Sequence, residues 1–446
     1  MYIKTQKFLV LGASKSGFAV LKYLKEKGAD CYVYEELKNP KAKLSLEKLA
    51  ELGVESLNKD RAEQLLSSID VLVLSPGVPI NHELAVKAKM LGKRIIGELE
   101  FAYTQFMPCI VAVTGTNGKT TTVTLIDEIL NCAQVKTQLL GNVGVPFTSK
   151  IKDLDAETVC VTEVSSFQLE GTFAFTPHIS CITNVAPDHL ERHYNMENYV
   201  YLKKRITKNQ RESEFAVLNF DDSIVKNFYA EVKAKVIWVS LKEEVDGAYR
   251  KEGKLFYRNE YIIDENALKI NGEHNVYNAL FAVAVTKLLG VQTEVIKSAL
   301  ENFKGVKHRI ELVCEKKGVE YYNDSKATNT ASTISAIESI TKPIVLILGG
   351  SEKGESYDNL FEKIKQREIR QIILTGASRF NMLDCAGRFG VADITVTEDF
   401  INAIRISAMF AREGDAVLLS PACASFDKFS GFEERGEVFV KAVEEL

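Results

Sequence analysis

No apolar run in the 446-residue chain approaches the roughly 18 residues that cross a bilayer, which argues against a membrane helix. Charge of one sign is not in excess either. Lys and Arg number 56 against 60 Asp and Glu, a net charge of −4, which argues against a general nucleic-acid binder. The eight cysteines (Cys31, Cys109, Cys132, Cys160, Cys181, Cys314, Cys385 and Cys423) are scattered singly and form no Cys-x-x-Cys pair. Neither a zinc site nor a disulfide framework is indicated, and they read as small core residues of a cytoplasmic protein. The N-terminus carries no signal-peptide pattern, and no repeat or low-complexity tract is present. What remains is an ordinary globular composition, 46% apolar and 26% charged, long enough for about three domains.

The most informative stretch is Val111-Ala-Val-Thr-Gly-Thr-Asn-Gly-Lys-Thr-Thr-Thr122. A β-type run, Ile110–Val113, feeds a glycine turn, and a helical pattern over Thr120–Leu130 follows. Strand, glycine loop and helix in that order make a phosphate cradle. Gly115 and Gly118 let backbone N–H groups approach an anion. Lys119 supplies charge for β/γ-phosphates, and the Thr120 or Thr121 hydroxyl suits Mg²⁺. The loop, Gly-x-x-Gly-Lys-Thr, is two residues shorter than the usual form, which leaves the mechanism intact.

Around this loop the chain reads as three α/β units. Residues 1–97 alternate strands (Phe8–Leu11, Cys31–Tyr34, Val71–Leu74, Arg94–Ile96) with helices such as Phe18–Lys27, the pattern of an open parallel sheet. Ser14 stands where a dinucleotide fingerprint needs glycine, which disfavours NAD or FAD and a dinucleotide oxidoreductase, although Glu35 ends the second strand. Ser75-Pro76-Gly77 ends another strand and is either a second source of anion-binding amides or an ordinary turn. Residues 98–303 carry Glu163 and His189 just after the strands Thr158–Glu163 and Ile179–Asn184. Ligands gather at the carboxyl ends of such strands, so both residues are candidate Mg²⁺ ligands facing the loop. Tyr199, Leu202, Lys203 and Ile206 share one helical face, so Lys203 turns inward and Lys204 does not. Lys203 is then either a desolvated, neutral amine able to bind a metal or react with CO₂, or a lysine snorkelling at a surface. Phe215–Asn219, Val236–Ser240 and short runs in Lys254–Ile263 read as strands, with a hairpin turn at Glu252-Gly253. Asn275 and Asn278 open a helix over Val276–Leu289. Their amides either read a base edge or, for Asn275 above all, cap the helix.

Residues 304–446 follow a linker-like Phe303–Arg309. The strands Ile344–Leu348, Gln371–Leu374, Asp393–Val396 and Ala416–Leu419 give a second doubly wound sheet. The polar clusters at its strand ends, Asn323–Asn329, Gly349–Lys353 and Ser420–Ser425, suggest a carboxylate or phosphate site.

Thr114–Thr121, Glu163 within Glu-Val-Ser-Ser-Phe-Gln-Leu-Glu170, and Asn184-Val-Ala-Pro-Asp-His189 together resemble the Mur ligase family, and the likeness spans the whole chain. Asn323-Asp-Ser-Lys-Ala-Thr-Asn329 and Ser420-Pro-Ala-Cys-Ala-Ser-Phe-Asp427 are similar to the members that add D-glutamate. The Asn-Pro-Arg signature of those that add diaminopimelate or lysine is not seen. The folate-polyglutamating relatives lack a unit like 1–97. The resemblance implies three domains: a Rossmann-like parallel sheet (1–97) for a UDP substrate, a central P-loop ATPase-type α/β domain (98–303), and a C-terminal Rossmann-like domain (304–446) for the amino acid. It implies ATP bound by Gly115, Thr116, Asn117, Gly118, Lys119, Thr120 and Thr121, with Asn275 and Asn278 at adenine, Arg309 at phosphate and Asp324 at ribose. Two Mg²⁺ ions would be held by Thr120, Glu163, His189 and a carbamylated Lys203. Lys119, His189 and Lys203 would be catalytic. UDP-N-acetylmuramoyl-L-alanine would meet Asn142, His189 and the turns at Ser14, Lys15, Glu35, Ser75, Pro76 and Gly77. D-Glutamate would meet Lys326, Thr328, Lys353, Ser425 and Phe432. A cytoplasmic monomer making an amide through an acyl phosphate is the expectation. The alternatives are a family member adding another amino acid and a nucleotide-gated binding module with no ligase product.

Overall fold

The computed structural model describes residues 3–36, 45–270, 272–352, 354 and 356–446, with the backbone alone of 40–44. The chain divides into two compact units. One comprises Met1–Ala267 and Tyr277–Glu301, the other Leu268–Val276 and Asn302–Leu446.

The first unit holds two sheets. Strands β1 (Lys7–Leu11), β2 (Asp30–Tyr34), β3 (Glu55–Leu57), β4 (Val71–Leu74) and β5 (Arg94–Gly97) form a five-stranded sheet ordered β3-β2-β1-β4-β5. Every neighbouring pair is parallel. β4 is Val-Leu-Val-Leu and wholly buried, as a strand covered on both faces must be. β3 escaped the sequence reading because it is a three-residue edge strand that buries only Leu57.

The second sheet comprises β6 (Cys109–Thr114), β7 (Thr137–Gly141), β8 (Val159–Glu163), β9 (Ile179–Ile182), β10 (Phe215–Asn219), β11 (Lys235–Ser240), β12 (Gly247–Lys251), β13 (Lys254–Tyr257) and β14 (Glu260–Asp264). Its order is β14-β13-β12-β11-β10-β9-β6-β8-β7. It is parallel from β7 to β12 and ends in two antiparallel hairpins. The first hairpin turns on Glu252 and Gly253, where it was expected. Both have positive φ (50° and 69°), the geometry a two-residue turn between twisted strands requires. One apolar core runs from the first sheet into the second through the helix Glu98–Gln105. Phe101 lies edge-on to Phe8 at 6.2 Å and to Tyr23 at 5.9 Å.

In the second unit β15 (Glu311–Lys316), β16 (Val319–Asn323), β17 (Ile344–Leu348), β18 (Ile369–Leu374), β19 (Ile394–Val396) and β20 (Ala416–Leu419) form a sheet ordered β15-β16-β20-β17-β18-β19. Only β15 is antiparallel to its neighbour. The sequence reading missed β15 and β16 because their mixed polar composition follows half-buried positions rather than a clean apolar run.

Three further expectations change. Cys132 is exposed, and Cys109 and Cys314 are only half-buried, so not every cysteine is a core residue. The helix expected at Val276 begins at Glu273, which makes Asn275 its third residue rather than its cap. The linker-like stretch is anchored, since Phe303 keeps only 2% of its surface. Among the described residues no helix is long and apolar enough to cross a membrane.

Candidate active site

β6 is flanked by β8 and β9 and delivers its C-terminal end, with theirs, to one edge of the second sheet. Thr114 leads into a turn at Gly115–Gly118, and the helix Lys119–Cys132 follows. Gly118 sits in the left-handed region (φ 85°), and a Cβ there would lie 2.5 Å from Asn278 Oδ1. A Cβ on Gly115 would lie 1.9 Å from Thr183 Oγ1. Glycine is therefore required at both places, by close approach as much as by φ.

Not every loop amide is available to an anion. Thr116 N–H donates to Asn184 O and Asn117 N–H to Asn184 Oδ1, each at 2.9 Å. Asn184 Nδ2 and Thr183 Oγ1 in turn donate to Asn117 O. The segment after β9 thus braces the loop, and the first turn of the helix directs its amides out of the helix end, where an anion is favoured. Lys119 Nζ donates to Gly115 O (2.9 Å) and Thr116 O (2.8 Å), which holds its ammonium against the loop.

Glu163, the last residue of β8, is buried. Its Oε2 accepts from Thr120 Oγ1 and its Oε1 from Asn142 Nδ2, both at 2.7 Å. Thr121 Oγ1, one residue further along the helix, is buried with no hydrogen-bond partner among the described residues. The Glu163 carboxylate and the two threonine hydroxyls form an all-oxygen donor set, the chemistry Mg²⁺ prefers when it takes one or two protein groups and keeps waters. The described residues hold no group of three or more His, Cys, Asp or Glu able to bind a metal unaided.

Lys203 retains 1% of its surface, and its Nζ donates to Gly115 O at 2.6 Å. Burial, reinforced by the nearby Lys119 ammonium and opposed by Asp188 and Glu163, pushes its affinity for a proton well below that of an ordinary lysine. Its Nζ lies 4.5 Å from the centroid of Tyr199, whose hydroxyl shares a hydrogen bond with Thr116 Oγ1 at 3.2 Å. Lys204 instead pairs with Glu231 at the surface. The inward face read from the helical spacing is present, and it ends on the phosphate loop.

His189 occupies a left-handed position (φ 54°) at the head of the short helix Leu190–His193. Its ring lies 4.9 Å from Phe167, 3.6 Å from the Asp188 carboxylate and 3.5 Å from that of Glu191. In the first sheet, Glu35 Oε2 accepts from Ala13 N–H at 2.6 Å, so this carboxylate braces the turn after β1. Ser75 Oγ donates to Gly12 O at 2.9 Å, which joins the turns after β1 and β4. Ser14 is the N-cap of the helix Lys15–Glu26, with Lys15 exposed in its first turn. Pro76 is half-buried and Gly77 exposed beside them.

The second unit gathers its own polar cluster at the ends of β16 and β20. Asp324 Oδ2 accepts from Ser420 Oγ at 2.7 Å and Oδ1 from Ile310 N–H at 3.2 Å. Burial raises its acid to about 7 against the pull of the Ser420 hydrogen bond, Arg309 and Arg435. Lys326 Nζ lies 4.8 Å over the ring of Phe432, Thr328 is half-buried and Ser425 is buried. Arg435 was absent from the sequence reading. It is buried and donates to Ser325 Oγ, Ser325 O, Cys423 O and Ala424 O, which ties the segment after β16 to the one after β20. The signal was available: Arg435 lies four residues before Phe439 and eight before Val443 on the buried face of the helix Phe432–Glu444. Asn278 accepts from Thr122 Oγ1 within the first unit, whereas Asn275 falls in the second. Lys353 lies outside the described residues.

Three family models match in succession: Mur ligase MurD-like, N-terminal domain, at residues 6–97; Mur ligase middle domain at 113–286; and Mur ligase, glutamate ligase domain, at 308–423. A UDP-N-acetylmuramoylalanine–D-glutamate ligase of Caldanaerobacter subterraneus subsp. tengcongensis is 42% identical over 449 residues, with 100% of both chains covered. The chain belongs to the Mur ligase family. Like the family it is an ATP-dependent ligase, built of N-terminal, middle and C-terminal Mur ligase domains. Its fold matches other Mur ligases at lower identity. UDP-N-acetylmuramate–alanine ligase MurC of Thermotoga maritima aligns with a TM-score of 0.62 at 19% identity, covering 99% of each chain. MurF ligase of the same organism, solved in complex with ADP, aligns with a TM-score of 0.60 at 16% identity, covering 99% of this chain and 96% of that one.

Proposed function

We propose that this Mur ligase joins D-glutamate to UDP-N-acetylmuramoyl-L-alanine at the expense of ATP, in the synthesis of a peptidoglycan precursor by a cytoplasmic monomer. The observation that carries the reading is the buried Glu163 carboxylate bonded to Thr120 directly behind Lys119, in a chain whose full-length relative is named for this ligation. The three functional regions are 1–97 for the nucleotide-sugar, 98–303 for ATP and 304–446 for the amino acid.

The loop Gly115–Thr121 receives the triphosphate, with Asn275 and Asn278 at the adenine, Arg309 at a phosphate and Asp324 at the ribose. The alanine carboxylate, placed by Asn142, His189 and the turns at Ser14–Lys15, Glu35 and Ser75–Gly77, attacks the γ-phosphorus. The bond to the β-phosphate oxygen breaks, and ADP departs. Lys119 and the first helical turn spread the charge on the transferred group. The amine of D-glutamate, held by Lys326, Thr328, Lys353, Ser425 and Phe432, then attacks the acyl carbon. Phosphate leaves, the nitrogen loses its proton, and an amide remains. Thr120, Glu163 and His189 are the groups that would hold Mg²⁺, which when bound neutralises phosphate oxygens. Lys203, stripped of water and short of proton affinity, is suited to carbamylation, which would turn it into an anionic oxygen donor.

The test is phosphate release with UDP-N-acetylmuramoyl-L-alanine and a panel of D- and L-amino acids. Turnover should require ATP and D-glutamate together and disappear in Lys119→Ala. ATP turnover indifferent to both co-substrates would point instead to a nucleotide-gated module.

A further inference from the structure

One charged cluster joins the two sheets of the first unit without touching the phosphate loop. Arg192 lies one helical turn past His189, and its N–H donates to His189 O at 3.0 Å. Its guanidinium donates to the Glu170 carboxylate twice, from Nε at 3.3 Å and from Nη2 at 2.7 Å. The two side chains keep only 16% and 10% of their surface. The same guanidinium donates to two carbonyls of the turn after β4, Gly77 O at 3.4 Å and Val78 O at 3.2 Å. It lies 5.0 Å from the centroid of Phe167, the ring that also packs on His189. His193 completes the cluster, with Nε2 at 3.0 Å from Ser166 Oγ and Nδ1 at 3.5 Å from Glu170 Oε1.

The consequence is geometric. Val78 N–H donates to Ser75 O at 2.9 Å, so the peptide unit joining Gly77 to Val78 is gripped at both ends, its carbonyl by Arg192 and its N–H by the turn itself. Only a planar fork of several donors can serve a carboxylate and two carbonyls at once; a lysine ammonium, a single point charge on a flexible stem, cannot reproduce it. We propose that Arg192, locked by Glu170, is a positioning residue that holds the Ser75–Val78 turn in register with His189 and thereby sets affinity for the nucleotide-sugar substrate. This rests on the reading above that the turn meets that substrate.

The experiment compares the full-length enzyme with Arg192→Gln, Arg192→Lys and Glu170→Gln by steady-state kinetics and by amide hydrogen exchange. In Arg192→Gln the KM for UDP-N-acetylmuramoyl-L-alanine should rise about tenfold, while the KM values for ATP and D-glutamate stay within about twofold. Arg192→Lys should recover little of the loss. Exchange of the amides in residues 75–80 should accelerate about tenfold, with those of 110–122 unmoved. Glu170→Gln should shift the same two readouts in the same direction, and it carries the test if Arg192→Gln does not fold. An unchanged KM for the nucleotide-sugar, a parallel rise in all three KM values, or faster exchange throughout the unit would overturn the proposal. If exchange at 75–80 responds as expected but the wild-type enzyme does not turn over the nucleotide-sugar, the clamp stands and the substrate assignment falls.

Discussion

A buried lysine is a costly residue, and Lys203 shows what that cost brings. Its ammonium is disfavoured in the fold, while in the unfolded chain it titrates as an ordinary lysine. The unfolded state therefore binds more protons at neutral pH, and the folded state loses stability as pH falls below the ordinary lysine value. Lys203→Met should raise the midpoint of unfolding by roughly 2–4 °C at pH 7, with the gain vanishing above about pH 10.5. Ligase turnover should fall on the order of a hundredfold or more, since the residue beside Gly115 O would no longer be polar. Calorimetry across pH, with phosphate release on the same samples, checks both. A variant that is less stable at pH 7 would show that the hydrogen bond to Gly115 outweighs desolvation. The inward face of Lys203 was legible because three apolar neighbours shared its helical spacing. Arg435 obeyed the same rule in the last helix and passed unread, because its neighbours on the buried face include Gly436, whose lack of a side chain breaks the apolar stripe.

At the scale of elements, what the sequence made plain were short apolar strands that end in polar residues. β1, β4, β6, β8, β17 and β20 are of this kind, and they carry the tips on which the candidate site residues stand. The bracing of the phosphate loop was less legible. Asn184 was visible as part of a polar cluster, but not that it would take the Thr116 and Asn117 amides, because hydrogen bonds between strand ends depend on strand order. β6 and β9 are neighbours although two other strands intervene in sequence. The loop-to-helix junction itself gives a sharp prediction. Gly118→Ala places a Cβ 2.5 Å from Asn278 Oδ1 at a left-handed position. It should destabilise the first unit by about 1–2 kcal/mol and raise the KM for ATP about tenfold or more. Denaturant melts and ATP titrations measure the two effects, and an unchanged KM would detach Asn278 from the nucleotide.

At the scale of the molecule, the first two sheets share one apolar core, whereas the third has clusters of its own on either side of β17, β18 and β20. Phe101→Ala removes the ring that meets Phe8 and Tyr23, a loss of about 3–5 kcal/mol. Scanning calorimetry should show the transition of the first unit moving as a whole. A split of the first transition into two would mean that the sheets melt independently. The sequence suggested three units from its alternation of strands and helices, a pattern that is local. The continuity of the core depends on which faces meet across the helix Glu98–Gln105, and periodicity within one element carries no trace of that.

Phe101, Phe8 and Tyr23 also limit how this enzyme can be dissected. A fragment starting at Glu98 would retain the Gly115–Thr121 loop yet leave an aromatic ring and the floor beneath it bare to water. Expressed alone, such a fragment belongs in the insoluble pellet, and the smallest working piece of this protein includes residues 1–97 at its front.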